Sequence, residues 1–264
     1  MTEFATGIPA AFDLTGRSAL ITGSGAARGI GFVTARALGD LGARVVIAST
    51  THRIDERVKE LRAAGIDASG FVADLTVERE VDALIKFAGH VDVCVNNAGM
   101  MSVHDPGEPG DVQSVSLAAW RAGMARNLDS AFLVSRAVID PMISQGWGRI
   151  VNVSSISGPV MAMRGQAVYA AAKAGMVGLT RSMAIDSAPS GVTVNAVAPG
   201  WIETASSMPD EVAEGAISPV GRCGTPEEIA SAIAWLATPG AGYITGQVIA
   251  VDGGNSIAEE HLTH

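Results

Sequence analysis

Short apolar runs recur along the chain, and most of the gaps between them have helix-like spacing. Each run is four or five residues long. They cover residues 18–22, 44–48, 70–73, 91–95, 149–153, 193–197 and 247–251. Strands that alternate with helices form βαβ units, whose right-handed crossovers build a parallel sheet covered on both faces. The pattern therefore predicts an α/β fold, a doubly wound sheet of seven parallel strands within one domain that spans 1–264.

Two irregular stretches each follow a predicted strand. Residues 100–116 are rich in proline and glycine and are predicted to form a long loop before a helix around 120–138. Residues 199–225 form the second stretch. Because open parallel sheets bind ligands past the carboxyl ends of their strands, both stretches are expected near the functional site, and 199–225 is expected to include a substrate loop.

Composition and charge narrow the function classes. A chain of 264 residues that is 48% hydrophobic buries a large core. The net charge of -9 and the absence of a basic run of five residues argue against nucleic acid as a partner. No apolar stretch reaches the roughly 18 residues of a membrane helix, so no membrane partner is predicted. The N-terminal residues lack the pattern of a secretory signal.

Cysteines and histidines give no sign of a metal. Cys94 and Cys223 have neither metal-ligand spacing nor the pattern of a disulfide framework, which favours a reducing, cytoplasmic location. His52 and His104 also lack partners at ligand spacing. We therefore expect no metal site.

A glycine-rich turn follows the first predicted strand and precedes a helical pattern. Glycines let the backbone turn tightly and approach a pyrophosphate, and the helix N-terminus offers free N–H groups to the anion. A lone glycine-rich turn is weak evidence of a nucleotide site, but the required strand, turn and helix are all indicated. The candidate contacts are Gly23, Ser24, Arg28, Gly29, Ile30 and Gly31.

The end of the second predicted strand has no acidic residue. An acid there usually accepts hydrogen bonds from the ribose of NAD, whereas Ser49 and Thr50 offer hydroxyls without repelling a 2′-phosphate. Arg28 and Arg53 are candidates to bind that phosphate. Arg53 is almost as well explained as a solvated charge in the first turn of a helix. The pattern favours NADP(H) and leaves NAD(H) possible.

Asp74 and Leu75 follow the third predicted strand. Their position at the carboxyl end of the strand makes them candidates to contact the adenine. The alternative is that Asp74 caps the next helix.

Tyr169 and Lys173 lie one helical turn apart in a run of small residues. Positions i and i+4 share one face of a helix, so an ammonium would lie beside a phenol. A neighbouring positive charge lowers the pKa of a phenol, which suits it to acid or base catalysis near neutral pH. The alternative is an ordinary surface contact on an amphipathic helix.

Together with several further motifs, these residues resemble the short-chain dehydrogenase/reductase family along essentially the whole chain. The further motifs are Asn96-Asn97-Ala98-Gly99, Asn127-Leu128, Ser154-Ser155, Asn195-Ala196-Val197-Ala198-Pro199-Gly200 and Val251-Asp252-Gly253-Gly254. The resemblance implies a Rossmann-type fold and a hydride transfer between a nicotinamide cofactor and a small carbonyl or alcohol.

The resemblance also implies roles for individual residues. Tyr169 would be the general acid and Lys173 would lower its pKa and bind the nicotinamide ribose. Ser155 would hold the substrate oxygen, and Asn127 would position a water, unless it only bonds nearby backbone as a helix-interior asparagine. Further cofactor contacts would come from Asn97, Ala98, Gly99, Pro199, Gly200, Ile202 and Thr204. A homotetramer is implied as well, with contacts through two long helices, 117–144 and 166–187, and through the C-terminal strand region.

Three departures from the family pattern limit the assignment of these roles to residues of this chain. The phosphate turn has five residues between Gly23 and Gly29 where three are usual, and the insertion includes Gly25. Ser155 and Tyr169 are separated by one position more than usual, and the extra residue is expected within 159–165. The loop after Gly99 is also longer than is common.

These observations favour an NADP(H)-dependent reductase of a 3-oxoacyl thioester or another small ketone. The segment 219–228 is similar to that of 3-oxoacyl-carrier-protein reductases, but it also occurs in family members that act on sugars and secondary alcohols. The alternatives are an NAD-dependent alcohol, sugar or polyol dehydrogenase and a non-catalytic nucleotide-binding regulator. Residues 161–163 and 201–208 either line the substrate pocket or fill gaps in the core.

Overall fold

The computed structural model describes residues 7–99, 111–204, 207 and 209–259. All strand pairs of its single sheet are parallel, in the order β3-β2-β1-β4-β5-β6-β7. The strands are β1 Ser18–Ile21, β2 Arg44–Ser49, β3 Ala68–Val72, β4 Val93–Asn96, β5 Gly148–Val153, β6 Val192–Pro199 and β7 Val248–Val251. The predicted seven-stranded, doubly wound fold is confirmed. Its topological switch point lies between β1 and β4, where ligands of such sheets bind.

Helices cover both faces of the sheet. They are α1 Ile30–Asp40, α2 Arg53–Ala63, α3 Glu78–Ala88, α4 Leu117–Met124, α5 Ser130–Gln145, α6 Ala167–Ser187, α7 Pro209–Ala216 and α8 Pro226–Leu236. A π-helical turn, Ala125–Asp129, joins α4 to α5, and short 3₁₀ turns cover Ala188–Ser190 and Pro239–Ala241. No helix among the described residues is both long and apolar enough to cross a membrane.

Strand residues alternate between two hydrophobic clusters because successive side chains of a strand point to opposite faces. Ala19 and Ile21 of β1 pack with α1, α2 and α8, whereas Leu20 packs with α3, α5 and α6. Burial on both faces explains why the strands are continuous apolar runs in the sequence. Each fully buried leucine or isoleucine stabilises the fold by about 1.5–3 kcal/mol relative to an exposed side chain.

Two segments differ in part from the prediction. The helix expected around 120–138 extends from Leu117 to Gln145, close to the 117–144 expected for the long helix; Gly146 after it adopts a left-handed conformation, and the helix contains the π-helical turn. The stretch 199–225 is not wholly irregular, because it contains α7. Residues 100–110 of the predicted loop, which include His104, and residues 205, 206 and 208 lie outside the described residues.

Candidate active site

Ser155, Tyr169 and Lys173 come together where β5 ends beside α6. The Ser155 hydroxyl faces the Tyr169 phenol and lowers its pKa, and the backbone N–H of Ser157 donates to Ser155 Oγ over 3.1 Å. Lys173 Nζ lies 5.6 Å from the centroid of the Tyr169 ring. The structure thus brings together a hydroxyl, a phenol and an amine that the sequence predicted to share one site.

The neighbouring serine, Ser154, has a different role. Its hydroxyl donates to the backbone carbonyl of Lys173 over 3.0 Å, and its side chain is buried. This hydrogen bond ties the end of β5 to α6. Of the two serines, Ser155 is therefore the one whose hydroxyl faces the tyrosine.

Lys173 is a buried amine, with 2% of its surface exposed. Its Nζ donates to the carbonyl of Val153 over 2.8 Å. Burial lowers the pKa of Lys173 to about 8, because removal from water disfavours the charged form. An amine with this pKa exchanges protons close to neutral pH.

The pKa of Tyr169 is raised above its ordinary value, which contradicts the expected lowering. Burial is the largest cause, and the hydrogen bond with Ser155, which favours the phenolate, offsets it only in part. The negative charge of Glu211 raises the pKa further. At neutral pH the phenol is therefore protonated and available as an acid.

Asn127 lies in the π-helical turn between α4 and α5 and is 3% exposed. Its Nδ2 donates to the carbonyl of Gly123 over 3.1 Å, as the alternative interpretation expects. Its Oδ1 is buried and has no hydrogen-bonding partner among the described residues. Because π-helical turns and orphaned buried acceptors are both typical of functional sites, Asn127 remains a candidate to hold a water.

The glycine-rich turn lies between β1 and α1 and packs against the end of β4. Gly23 has a positive φ of 69°, and a Cβ there would lie 2.8 Å from Cα of Ala98. A Cβ at Gly31 would lie 2.5 Å from Nδ2 of Asn97. Asn97 Nδ2 donates to the carbonyls of Thr22 and Gly23, so it fixes the turn. Only glycine permits this close approach of α1 to the strand ends.

Thr22 is a second anchor of this turn and is not among the residues predicted from the sequence. Its Oγ1 accepts hydrogen bonds from the backbone N–H groups of Asn97 and Ala98, over 3.0 and 2.9 Å. The sequence did contain a signal for this role, since Thr22 is a hydroxyl-bearing residue at the end of the first predicted strand.

Gly99 follows Ala98 in the chain and has a φ of 133°. A Cβ at Gly99 would lie 2.9 Å from Asn127 Oδ1.

The predicted cofactor contact Ser24 lies inside the turn. It is fully buried, its hydroxyl donates to the carbonyl of Ile21, and its N–H donates to the carbonyl of Ala48. Both polar groups are thus used inside the turn. Gly29 is the N-cap of α1 and Ile30 is its first residue, so the free N–H groups of the helix start begin here, as predicted.

The predicted phosphate contacts lie at the end of β2. Thr50, Arg53 and Arg28 are exposed, and Ser49 is half-buried. A Cβ at Gly25 would lie 3.1 Å from Cβ of Ser49, so the insertion in the turn lies against the end of β2. Neither arginine forms an ion pair within the described part of the chain.

Asp74 follows β3 and is exposed, whereas Leu75 is buried. Oδ1 of Asp74 accepts from the N–H and the hydroxyl of Thr76, over 2.9 and 2.7 Å. The N-cap of α3 is Val77, so Asp74 closes the turn before the helix and does not cap it. The alternative given for Asp74 from the sequence is therefore wrong.

Pro199 is the last residue of β6, and its carbonyl accepts from the N–H of Ile156, next to Ser155. Gly200 donates to the carbonyl of Val251, and Ile202 pairs with Gly224. These contacts lead the chain after β6 past the end of β5. They place the start of the predicted substrate loop beside the tyrosine and serine.

Glu211, in the first turn of α7, is a site residue that the sequence analysis missed. It is half-buried, and its charge acts on both Tyr169 and Cys223. Cys223 Sγ lies 3.8 Å from the carbonyl of Glu211, and a Cβ at Gly215 would lie 2.0 Å from that sulfur. Close packing on Cys223 thus fixes α7 near the tyrosine. No sequence signal identified α7, because it lies in a stretch read as irregular.

His52 is exposed and lies 3.2 Å from Asp55, at the start of α2. Within the described ranges no group of three histidine, cysteine or acidic side chains could hold a metal ion. The site thus consists of a glycine-rich turn of the kind that binds nucleotides, next to the phenol of Tyr169, the hydroxyl of Ser155 and the amine of Lys173.

Comparison with known proteins gives consistent matches. The family model described as Enoyl-(Acyl carrier protein) reductase matches residues 25–256. The chain is 40% identical over 250 residues to the 3-oxoacyl-[acyl-carrier-protein] reductase FabG of Vibrio cholerae serotype O1, which covers 92% of this chain and 98% of that protein.

A second relative has a different named substrate. The chain is 42% identical over 246 residues to cis-4-hydroxycyclohexanecarboxylate dehydrogenase of Sinomonas cyclohexanicum, with 90% of this chain and 96% of that protein covered. Among solved structures, a variant of the actinorhodin polyketide ketoreductase with NADPH superposes with a TM-score of 0.81 at 34% identity, covering 92% of this chain and 98% of that one.

Proposed function

Because this chain belongs to the short-chain dehydrogenase/reductase family, we propose that it is an NADP(H)-dependent reductase that converts a ketone to a secondary alcohol. The substrate is a 3-oxoacyl thioester or another small carbonyl. The observation that carries the proposal is the convergence of Ser155, Tyr169 and Lys173 beside the nucleotide crevice. Residues 199–225 border the substrate within a single domain.

The residues fit a dinucleotide. A Cβ at Gly23 or Gly31 would clash with neighbouring atoms, so glycine at these positions allows the tight turn before α1. The N–H groups at the start of α1 could then bind a pyrophosphate. Lys173 offers a buried amine beside Tyr169 that would donate to a ribose hydroxyl of the cofactor. The bound cofactor supplies the hydride that adds to the carbonyl carbon.

Tyr169 provides the proton for this reduction. Its raised pKa keeps the phenol protonated at neutral pH, and the Ser155 hydroxyl faces the phenol. A carbonyl oxygen placed between the two would accept a hydrogen bond from each, which stabilises the negative charge as it develops. The proton then passes from Tyr169 to the alkoxide oxygen. Lys173 places its charge beside the phenolate that remains.

Asn127 takes part through its orphaned Oδ1, which would accept a hydrogen bond from a water. Such a water connects the buried Lys173 to solvent and returns the proton. This assignment rests on the family resemblance together with the unpaired oxygen.

NADP(H) is proposed over NAD(H) on the basis of charge. Ser49 carries no negative charge, and Arg28 and Arg53 are exposed without an ion-pair partner within the described residues. The insertion at Gly25 brings the turn against Ser49. A 2′-phosphate at this corner would gain two charge-assisted hydrogen bonds.

The NADP(H) proposal is tested by cofactor binding. Arg28→Ala should weaken NADPH binding by at least about tenfold and leave NADH binding nearly unchanged, because loss of a charged hydrogen bond costs about 1.5–3 kcal/mol. Arg36→Ala is the control, since Arg36 is exposed on α1. Equal affinities of the parent protein for the two cofactors would instead support the alternative, an NAD-dependent alcohol, sugar or polyol dehydrogenase.

The catalytic proposal is tested by Tyr169→Phe. Loss of the phenol should lower turnover at least about a hundredfold, since an acid or base group typically contributes about 10²–10⁴. Tyr243→Phe is the matched control, because Tyr243 is fully exposed and is the only other tyrosine. The assay follows nicotinamide absorbance with ketones, 3-oxoacyl thioesters and polyols. Activity that survives in Tyr169→Phe refutes the assignment, and inactivity on the whole panel despite tight NADPH binding would favour a non-catalytic regulator.

A homotetramer is proposed from the exposed apolar side chains of the two long helical segments. Leu117, Phe132 and Ile185 are all exposed, on α4, α5 and α6. The family resemblance implies the tetramer, and contact between subunits through these helices would remove the three side chains from water. Light scattering at micromolar concentration tests the proposal, and a monomer would contradict it.

A further inference from the structure

Consecutive residues at the end of β5 contact the N-terminal half of α6, which contains Tyr169 and Lys173. The carbonyl of Val153 accepts from Lys173 Nζ over 2.8 Å, and the hydroxyl of Ser154 donates to the carbonyl of Lys173 over 3.0 Å. The Ser155 hydroxyl faces the phenol of Tyr169, whose pKa it lowers. The two hydrogen bonds fix the distance between strand and helix at the site itself.

A fourth contact lies outside the site. Asn152, which precedes these residues, donates from Nδ2 to Oγ1 of Thr180 over 2.8 Å. Thr180 follows Tyr169 by eleven positions, which is about three helical turns or about 16 Å along the axis. Both side chains are fully buried. The contact is therefore too distant for Thr180 to touch the substrate oxygen that Tyr169 would protonate.

The Asn152–Thr180 contact is one end of a longer chain of hydrogen bonds. Asn96 of β4 donates from Nδ2 to Oδ1 of Asn152 and to Oγ of Ser135 on α5, each over 2.8 Å. All these side chains are at most 1% exposed. The chain crosses two strands and joins the helix after the π-helical turn to the catalytic helix. A buried polar network that is fully satisfied rigidifies what it connects.

The apolar contacts of α6 do not set its position along β5 as sharply. The same face of the helix presents Met176 and Ala184 to the core, and these side chains lack directional bonds. Hydrogen bonds depend steeply on distance and angle. The Asn152–Thr180 bond therefore forms at only one position of α6 along the direction of β5, which we call the stagger of the helix.

We propose that Thr180 and Asn152 are positioning residues, which hold α6 at the stagger along β5 that brings Tyr169 against Ser155. The catalytic consequence rests on the proposed function, whereas the geometric claim does not. Thr180→Val keeps the shape of the side chain but leaves an N–H of Asn152 buried without an acceptor. Helix and strand must then shift to relieve it, and the contact between Ser155 and Tyr169 lengthens.

A tyrosine titration measures this shift without any substrate. Tyr169 and Tyr243 are the two tyrosines of the chain, so a Tyr243→Phe background leaves Tyr169 as the only phenol. Its ionisation is then followed by the ultraviolet absorbance of the phenolate. The Ser155 hydrogen bond lowers the pKa of Tyr169, so a weaker bond raises it. Thr180→Val should therefore move the titration to higher pH by at least about half a unit.

Two controls separate positioning from general destabilisation. Thr180→Ser keeps the hydroxyl and should restore the parent titration. Ser187→Ala removes another buried hydroxyl of α6, which donates to the carbonyl of Met183 just as Thr180 donates to that of Met176. Ser187 is not part of the network to β5, so this variant should titrate as the parent does. If Thr180→Val does not fold, Thr180→Ala serves in its place.

The kinetic readout is NADPH-dependent reduction of ethyl acetoacetate, a neutral 3-oxo ester. Thr180→Val should lower kcat by about tenfold with little change in KM, as expected when reacting groups are misplaced and binding is intact. A titration unchanged or shifted to lower pH overturns the proposal, even if Tyr169→Phe abolishes activity. Failure of the proposed function appears separately, as activity that survives in Tyr169→Phe.

Discussion

Replacement of Lys173 by methionine is expected to stabilise the protein at neutral pH while it abolishes activity. The Lys173 amine is 2% exposed and has no carboxylate within ion-pair distance among the described residues. Burial alone lowers the pKa of this group from its ordinary 10.5 to about 8. The folded protein therefore holds the proton less tightly than the unfolded chain, and keeping the amine charged at pH 7 opposes folding.

The size of this effect follows from the pKa difference. At about 1.4 kcal/mol for each pH unit, the fall from 10.5 to about 8 corresponds to about 3 kcal/mol of destabilisation at pH 7. Methionine removes this cost but also removes the hydrogen bond to the carbonyl of Val153, which costs about 1–3 kcal/mol. The net gain for Lys173→Met at pH 7 is thus about 0–2 kcal/mol.

The pH dependence gives the sharper test. Below pH 8 the amine is protonated in both states, so the full cost is present. Between pH 8 and 10.5 the folded protein releases the proton first, and the stability of the parent rises relative to that of the variant. The advantage of Lys173→Met should therefore shrink by about 3 kcal/mol over this interval and reverse in sign.

Urea unfolding followed by circular dichroism at pH 7 and pH 10, at one protein concentration, measures the difference. Lys86→Met is the control, because Lys86 is exposed on α3 and lacks the burial on which the expected effect depends. A difference between Lys173→Met and parent that is the same at both pH values would refute the argument from burial.

Three further predictions concern the site and the fold. Glu211→Gln removes a charge that raises the pKa of Tyr169, so the loss of reductase activity at alkaline pH should begin at lower pH. Gly31→Ala places a Cβ 2.5 Å from Nδ2 of Asn97, and we expect NADPH affinity by calorimetry to fall by at least about tenfold. Thr225→Ala removes the N-cap hydroxyl of the capping box of α8 and should lower the free energy of unfolding in urea by about 1 kcal/mol.

Matched variants make these outcomes decisive. Glu214→Gln neutralises an exposed charge on the same helix and should leave the pH profile unchanged. Gly178→Ala adds a Cβ on α6 with no atom within 4 Å and should retain NADPH affinity. Thr225→Ser keeps the capping hydroxyl. If a matched variant has the same effect as its test variant, the stated physical reason is wrong.

The strands and the nucleotide turn were determined by the sequence itself. Strands buried on both faces need continuous apolar side chains, so β5 and β6 are visible as apolar runs. Gly23 and Gly31 stand where a Cβ has no room, and Tyr169 and Lys173 share a face through helical spacing alone. Each of these features depends on a few neighbouring residues, which a linear pattern records.

Other features were decided by the tertiary structure. The pKa of Tyr169 rises because the whole fold removes the phenol from water and α7 brings Glu211 near it, and neither effect is encoded next to Tyr169 in the chain. Likewise, Ser24 is buried in the turn, where its hydroxyl and its N–H donate to the carbonyls of Ile21 and Ala48. The bond between Asn152 and Thr180 joins positions 28 residues apart. Desolvation and long-range hydrogen bonds depend on which distant segments pack together, and a local pattern carries no record of that packing.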